Sequence, residues 1–120
     1  MANPNIVNVT SILGESVGAV ATTSFANLIA NASSSNKVYK INSVVATNTN
    51  IAIDIDVSIN FVRGGTSYAI ANNITIPTST TLISISKDHG IYLREGDSLQ
   101  VKAGATDIHF VCSYEVISWN

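Results

Sequence analysis

Asp54 and Asp56 are the residues of this 120-residue chain whose type and spacing come nearest to chemistry. They stand two apart in IAIDIDVSINFV, so on an extended strand they share a face about 6.5–7 Å apart. That spacing permits contact with a hard cation. Such a cation collects about six to eight oxygens, and no acidic loop of the D-x-D-x-D-G kind supplies them, so the pair reads as a solvated or subunit-contacting face. His89 sits in the turn-like KDHG and His109 on the polar side of the last strand, and no motif brings either beside Ser or Cys. Nucleophile-elbow, Walker and H-E-x-x-H patterns are absent, and Gly64-Gly65 suits a hairpin better than a phosphate cradle. Catalysis, a metal and a cofactor are therefore not expected.

Cys112 is the one cysteine; it excludes an internal disulfide and, lying in an apolar alternating run, reads as a small buried hydrophobe. The triplets at Asn8, Asn31 and Asn73 match the glycan acceptor pattern by chance in a chain so rich in Asn. Tyr39, Tyr68, Tyr92 and Tyr114 alternate as core residues do, whereas Trp119 near the C-terminus is suited to pinning the tail or meeting a neighbour.

The elements that position these groups are strands. Ile51, Ile53, Ile55, Val57, Ile59 and Phe61 alternate with Ala52, Asp54, Asp56, Ser58 and Asn60, the period-two signature of a strand with one apolar face. Adjacent glycines 64 and 65 accept the positive backbone angles of a tight turn and predict a hairpin of 51–63 with 66–76. A first strand is expected over 5–12, a turn at Gly14, two short strands within 17–31, and a loop at NASSSNK, 31–37. A strand over 38–46 places Tyr39, Ile41 and Val45 on one side, and TNTN, 47–50, forms a loop. Pro77, which has no N–H to give a ladder, carries the chain from one sheet to the other. Strands follow at 82–85, 91–93, 98–103 and 108–117, with a turn at Glu95-Gly96-Asp97; in the last strand Ile108, Phe110, Cys112, Tyr114 and Val116 form the apolar side. These readings add up to an all-β antiparallel sandwich of about nine strands, with a jelly roll as one form of it, in one domain: an N-terminal arm and first strands over 1–36 and the body over 37–120.

Composition narrows the partners. Sixteen Ile and twelve Val supply the β-branched core, while only 12% of residues are charged and 39 Ser, Thr and Asn provide most of the polar surface. Long, Ile-rich strands with so few charges lack the usual guard against edge-to-edge association, which burial in an assembly would remove. A net charge of -2 with scattered cations excludes the basic stripe of a nucleic-acid binder. The opening MANPNIVNVT lacks the pattern of a secretory signal, and residues 17–32 are too often interrupted by Thr, Ser and Asn to span a membrane.

Taken together, MANPNIVNVTSI, KVYKINSVVATN at 37–48, KDHGIYLREGDSLQV and VCSYEVIS resemble a family of small virion structural proteins of marine tailed bacteriophages, cyanophages above all, over most of the chain. LGES at 13–16 departs from that family's aromatic-Gly-Lys-Thr. The resemblance implies a virion component, made in the host cytoplasm and located in the virion, and the neutral, hydroxyl-rich composition fits a capsid decoration or cement protein that forms homo-oligomers and binds the major capsid protein or other virion proteins. In such a protein the arm Ala2–Ile12, with Asn5, Ile6 and Val7, would add a strand to a neighbour's edge, and Arg63, Arg94 and Trp119 would anchor interfaces. A tail, neck or fibre component and a host-surface carbohydrate-binding module using an exposed tyrosine or Trp119 are the competing expectations.

Overall fold

The computed structural model describes residues 9–85 and 90–119, and within them nine antiparallel strands: β1 (Val9–Val20), β2 (Ala26–Ala30), β3 (Lys37–Asn48), β4 (Ile55–Arg63), β5 (Thr66–Ile76), β6 (Thr81–Ile85), β7 (Ile91–Leu93), β8 (Ser98–Ala103) and β9 (Ile108–Trp119). One sheet has the order β1-β9-β3-β6, with β7 also on β3; the other has the order β2-β8-β4-β5. The pairings β4 with β5, β3 with β6 and β7, β2 with β8 and β1 with β9 nest around a single tip, Gly64-Gly65. The chain is thus one long hairpin rolled up until β3 meets β9 and β4 meets β8. This is the jelly-roll form of the sandwich. Both tip glycines have positive φ, 61° and 78°, as a right-twisted hairpin demands.

Pro77 lies where expected, between β5 of one sheet and β6 of the other. The layers close over Ile41, Val44, Ile59, Leu93, Leu99, Ile108, Phe110 and Cys112, all fully buried. With strands this long the molecule is elongated, 50 × 26 × 20 Å. No helix among the described residues is long and apolar enough to cross a membrane.

Five sequence expectations need correction. Ile51 and Ile53 do not extend the apolar face of β4: Ile51 is 86% exposed, and the strand starts at Ile55. Neighbouring amides take the backbone groups that a ladder would have used. Asn50 Oδ1 accepts from the N–H groups of Ala52 and Ile53, and Asn48 Nδ2 donates to the carbonyl of Ile53. Thr47 and Asn48, read as loop, belong to β3, where Asn48 is fully buried.

Gly14 makes no turn, because β1 runs through it opposite Glu115 of β9. The first strand accordingly covers Val9–Val20, and 5–8 fall outside the described residues. In β3 the single side of Tyr39, Ile41 and Val45 is broken by a register shift between Ile41 and Ser43, after which Val44 and Ala46 point inward and Val45 outward. The alternation of β9 holds through Ile108, Phe110 and Cys112, then gives way, so that Ile117 rather than Val116 is buried.

Candidate docking faces

The residues singled out by sequence are not gathered into one site. Asn5, Ile6 and Val7, and likewise His89, lie outside the described residues. Asp54 precedes β4 and accepts from the N–H of Thr78, while Asp56 is on β4 and accepts from the Thr75 hydroxyl, so they do not line one strand face. Among the described residues no group of three or more His, Cys, Asp and Glu lies together to hold a metal ion. His109 is exposed on β9.

Arg63 has an internal partner. Its Nε donates to both oxygens of Asp97, at 3.1 and 2.9 Å, and its Nη2 to Oδ2 at 2.6 Å, tying the tip hairpin to the turn after β7. Hydrogen bonding to that carboxylate raises the guanidinium pKa above its usual value, against an opposing contribution from burial. The guanidinium also lies 4.9 Å from the ring of Phe61. Asp97 accepts the N–H of Arg94 as well, backward across the Gly96 turn. Arg94 therefore stands in the turn that receives Arg63, and Trp119 closes β9, its N–H donating to the carbonyl of Asn36.

Tyr39 and Tyr114 pack on the core with ring centres 5.4 Å apart, whereas Tyr68 and Tyr92 are about half exposed and do not follow the core reading. Cys112 is fully buried, and burial pushes its thiol up to about 12. The Asn31 triplet is equally committed: this buried amide donates to the carbonyls of Lys37 and Leu93 and accepts from the Ser35 hydroxyl.

The surface that composition did not localise is the outer side of the β1-β9-β3-β6 sheet. Alternation opposite the buried Phe110, Cys112, Val44 and Ala46 turns Val111 and Val45 outward, and register places Gly18, Val111, Val45 and Ile83 in one row across four strands. Val20, Val111 and Ile83 are 60%, 44% and 65% exposed. Gly18 has no side chain to fill its place in the row, and a hollow of about 280 Å³ opens there between Val20, His109 and Val111. Ser16, Ser113 and Ser43 form the next row on one side, and His109, Thr47 and Thr81 the row on the other. Charge returns in the row beyond Ser113, with the Lys40–Glu115 pair, but none of these ten residues is Asp, Glu, Lys or Arg. Solvent-facing rows of a sheet ordinarily carry charge, so this one is dressed for contact. A second apolar pair, Ile12 and Leu13, is exposed further along β1. Val111 was the available signal in the sequence: it stands among the polar members of the last strand, outward by parity and apolar by type.

No family model matches the chain, and no curated protein matches it. Solved structures do. A structure of Bacillus endospore appendages, described as a family of disulfide-linked pili, is similar at 18% identity and a TM-score of 0.54, over 100% of this chain and 98% of that one. A pentameric capsid protein from metagenomic phage sequences is similar at 16% identity and a TM-score of 0.44, over 83% of this chain and 59% of that one. The Gt strain of infectious bursal disease virus gives 13% identity and a TM-score of 0.39, over 92% and 34%. The appendage likeness establishes a shared fold. With its single cysteine inside the core, the present chain as folded offers no thiol for a disulfide between subunits.

Proposed function

We propose that this chain is a structural subunit of a virion, a decoration protein that seats the outer side of its β1-β9-β3-β6 sheet on the major capsid protein. The observation that carries this reading is the row Gly18, Val111, Val45 and Ile83, with Ser16, Ser113 and Ser43 on one side of it and Val20, His109, Thr47 and Thr81 on the other. The sequence resemblance to small cyanophage virion proteins supports it from a separate direction. In this reading the chain performs no reaction, and its work is mass action: each copy binds the assembled shell and not loose subunits, so the closed lattice gains stability in proportion to occupancy. Apolar contact gives the affinity, and the hydroxyl rows accept and donate at the rim without the desolvation cost of ions.

Neighbouring copies would join through sheet edges. Among the described residues β5 (Thr66–Ile76) pairs with β4 alone, and an extended segment of a neighbouring copy would add to its other edge. Purified particles test the proposal: their protein content, measured by quantitative mass spectrometry, should hold this chain in repeat comparable with the major capsid protein. A copy number far below that would assign it to the tail, neck or fibres and overturn the decoration role.

A further inference from the structure

The opposite side of the sandwich is built differently, and we propose that it carries a binding site for a neutral carbohydrate, framed by Asp56, Asn73, Lys102 and Thr23. These groups, with Ser58, Ala103 and Gly104, line a hollow of about 230 Å³ on the outer side of the β2-β8-β4-β5 sheet. Its construction is specific. β5 bulges opposite Ser58, since Val57 pairs with Ile74 but Ile59 with Ala71, and Asn73 takes the left-handed conformation with φ of 51°. The buried Ser58 hydroxyl accepts from the Asn73 N–H at 2.9 Å and donates to Asn73 Oδ1 at 3.2 Å, which fixes the amide. Thr23 is brought in by the loop after β1, held to the end of β8 where the N–H of Ala103 donates to the carbonyl of Thr22.

Three groups then remain unspent among the described residues. Asp56 uses Oδ1 for the Thr75 hydroxyl and leaves Oδ2 without a partner; Asn73 Nδ2 has none; and Lys102 Nζ meets only the ring of Phe25, at 4.9 Å. Although carboxylate and ammonium line one hollow, no ion pair joins them. A ligand that bridges them must both donate and accept. Vicinal hydroxyls of a sugar do so: one donates to Asp56 Oδ2 while its neighbour accepts from Lys102 or Asn73. Within this hollow Asp56 and Lys102 offset each other, and Asp54 in the adjoining hollow adds a further carboxylate that disfavours acidic ligands. Apolar surface for the C–H face of a sugar ring is at hand on both flanks, in Phe25, 38% exposed, and in Ile53, which lines an adjoining hollow that shares Asp56 and Gly104. So shallow a site binds weakly alone, and repetition over many copies would supply avidity. The site stands on its own geometry, and failure of the docking proposal would not touch it.

The test is titration of the ¹⁵N-labelled full chain with neutral gluco-, manno-, galacto-, xylo-, fuco- and N-acetylglucosamine trisaccharides, followed by amide shifts, with sialyllactose and glycine betaine as acidic and zwitterionic comparisons. At least one neutral trisaccharide should give saturable shifts centred on Thr23, Asn73 and Gly104. Asp56→Ala and Lys102→Ala, both on the surface, should each weaken that binding about tenfold or more and leave the remaining amide spectrum in place. Thr23→Val, which removes a hydroxyl of the same hollow and leaves both charges in place, should weaken the binding as well. Absence of saturable shifts with all the neutral trisaccharides, stronger binding of betaine or sialyllactose, or affinity untouched by the substitutions would overturn the assignment.

Discussion

Asp97 is 2% exposed and accepts from Nε and Nη2 of Arg63 and from the backbone N–H of Arg94, so one carboxylate holds together the turn after β7 and the end of β4. Removing it strands a guanidinium and an amide at once. Asp97→Ala should therefore lower unfolding stability by about 2–3 kcal/mol, read from urea denaturation, the partial exposure of Arg63 keeping the loss at the low end for a buried pair. Cys112 makes a prediction about pH. Burial raises its thiol from an ordinary 9.0 to about 12, so the folded state holds a proton that the unfolded chain releases. That contribution to stability is fully present below pH 9 and is lost as pH climbs toward 12. Melting temperatures measured across that window should fall less steeply for Cys112→Ala than for the parent, though from a lower starting value because a cavity is left. In native protein the thiol should resist alkylation, and in denaturant one thiol per chain should react.

The elements are governed by a few side chains that either permit or interrupt a ladder. Gly65, with φ of 78°, permits the tip turn, and Gly65→Val should cost about 1–2 kcal/mol in the same denaturation measurement. Asn48 acts as an interrupter: fully buried, it donates to the carbonyls of Ile53 and Ile76, and Asn48→Ala should lose about 2–3 kcal/mol by leaving both without that donor. This also explains what could be read without coordinates. Alternation at Ile55, Val57 and Ile59, the glycine pair and Pro77 each act locally, and they sufficed for the central hairpin and the change of sheet. Asn50 holds the N–H groups of Ala52 and Ile53, and Asn48 the carbonyl of Ile53, contacts that compete with the ladder the alternation implied, so the alternation at Ile51 and Ile53 pointed the wrong way. The register shift in β3 depends on its partner β9, and nothing within VYKINSVV announces it. For the same reason the outward row had one local sign, Val111, while its partners Gly18, Val45 and Ile83 become neighbours only through strand order. Arg63 was legible as important, but its partner 34 residues away was not.

At the scale of the whole molecule the two sheets divide the surface by chemistry, a patch of valine, isoleucine and hydroxyls bordered by the Lys40–Glu115 pair against a side bearing Asp56, Lys102 and amides. A monomer in water gains nothing from the first, and a protein seated on a shell gains affinity from it. Charge placed in the row should thus abolish docking with little effect on the fold: Val111→Asp and Ile83→Asp should each weaken association with shells about thirtyfold, measured by co-sedimentation. The most direct measurement is a cryo-electron microscopy map of the particle in which the proposed function places this chain. In that map Val20, Val111, Val45 and Ile83 should lie buried against a capsid subunit while Asp56 and Lys102 face solvent. A map in which that row is open to water and the protein is held through the other sheet would contradict it.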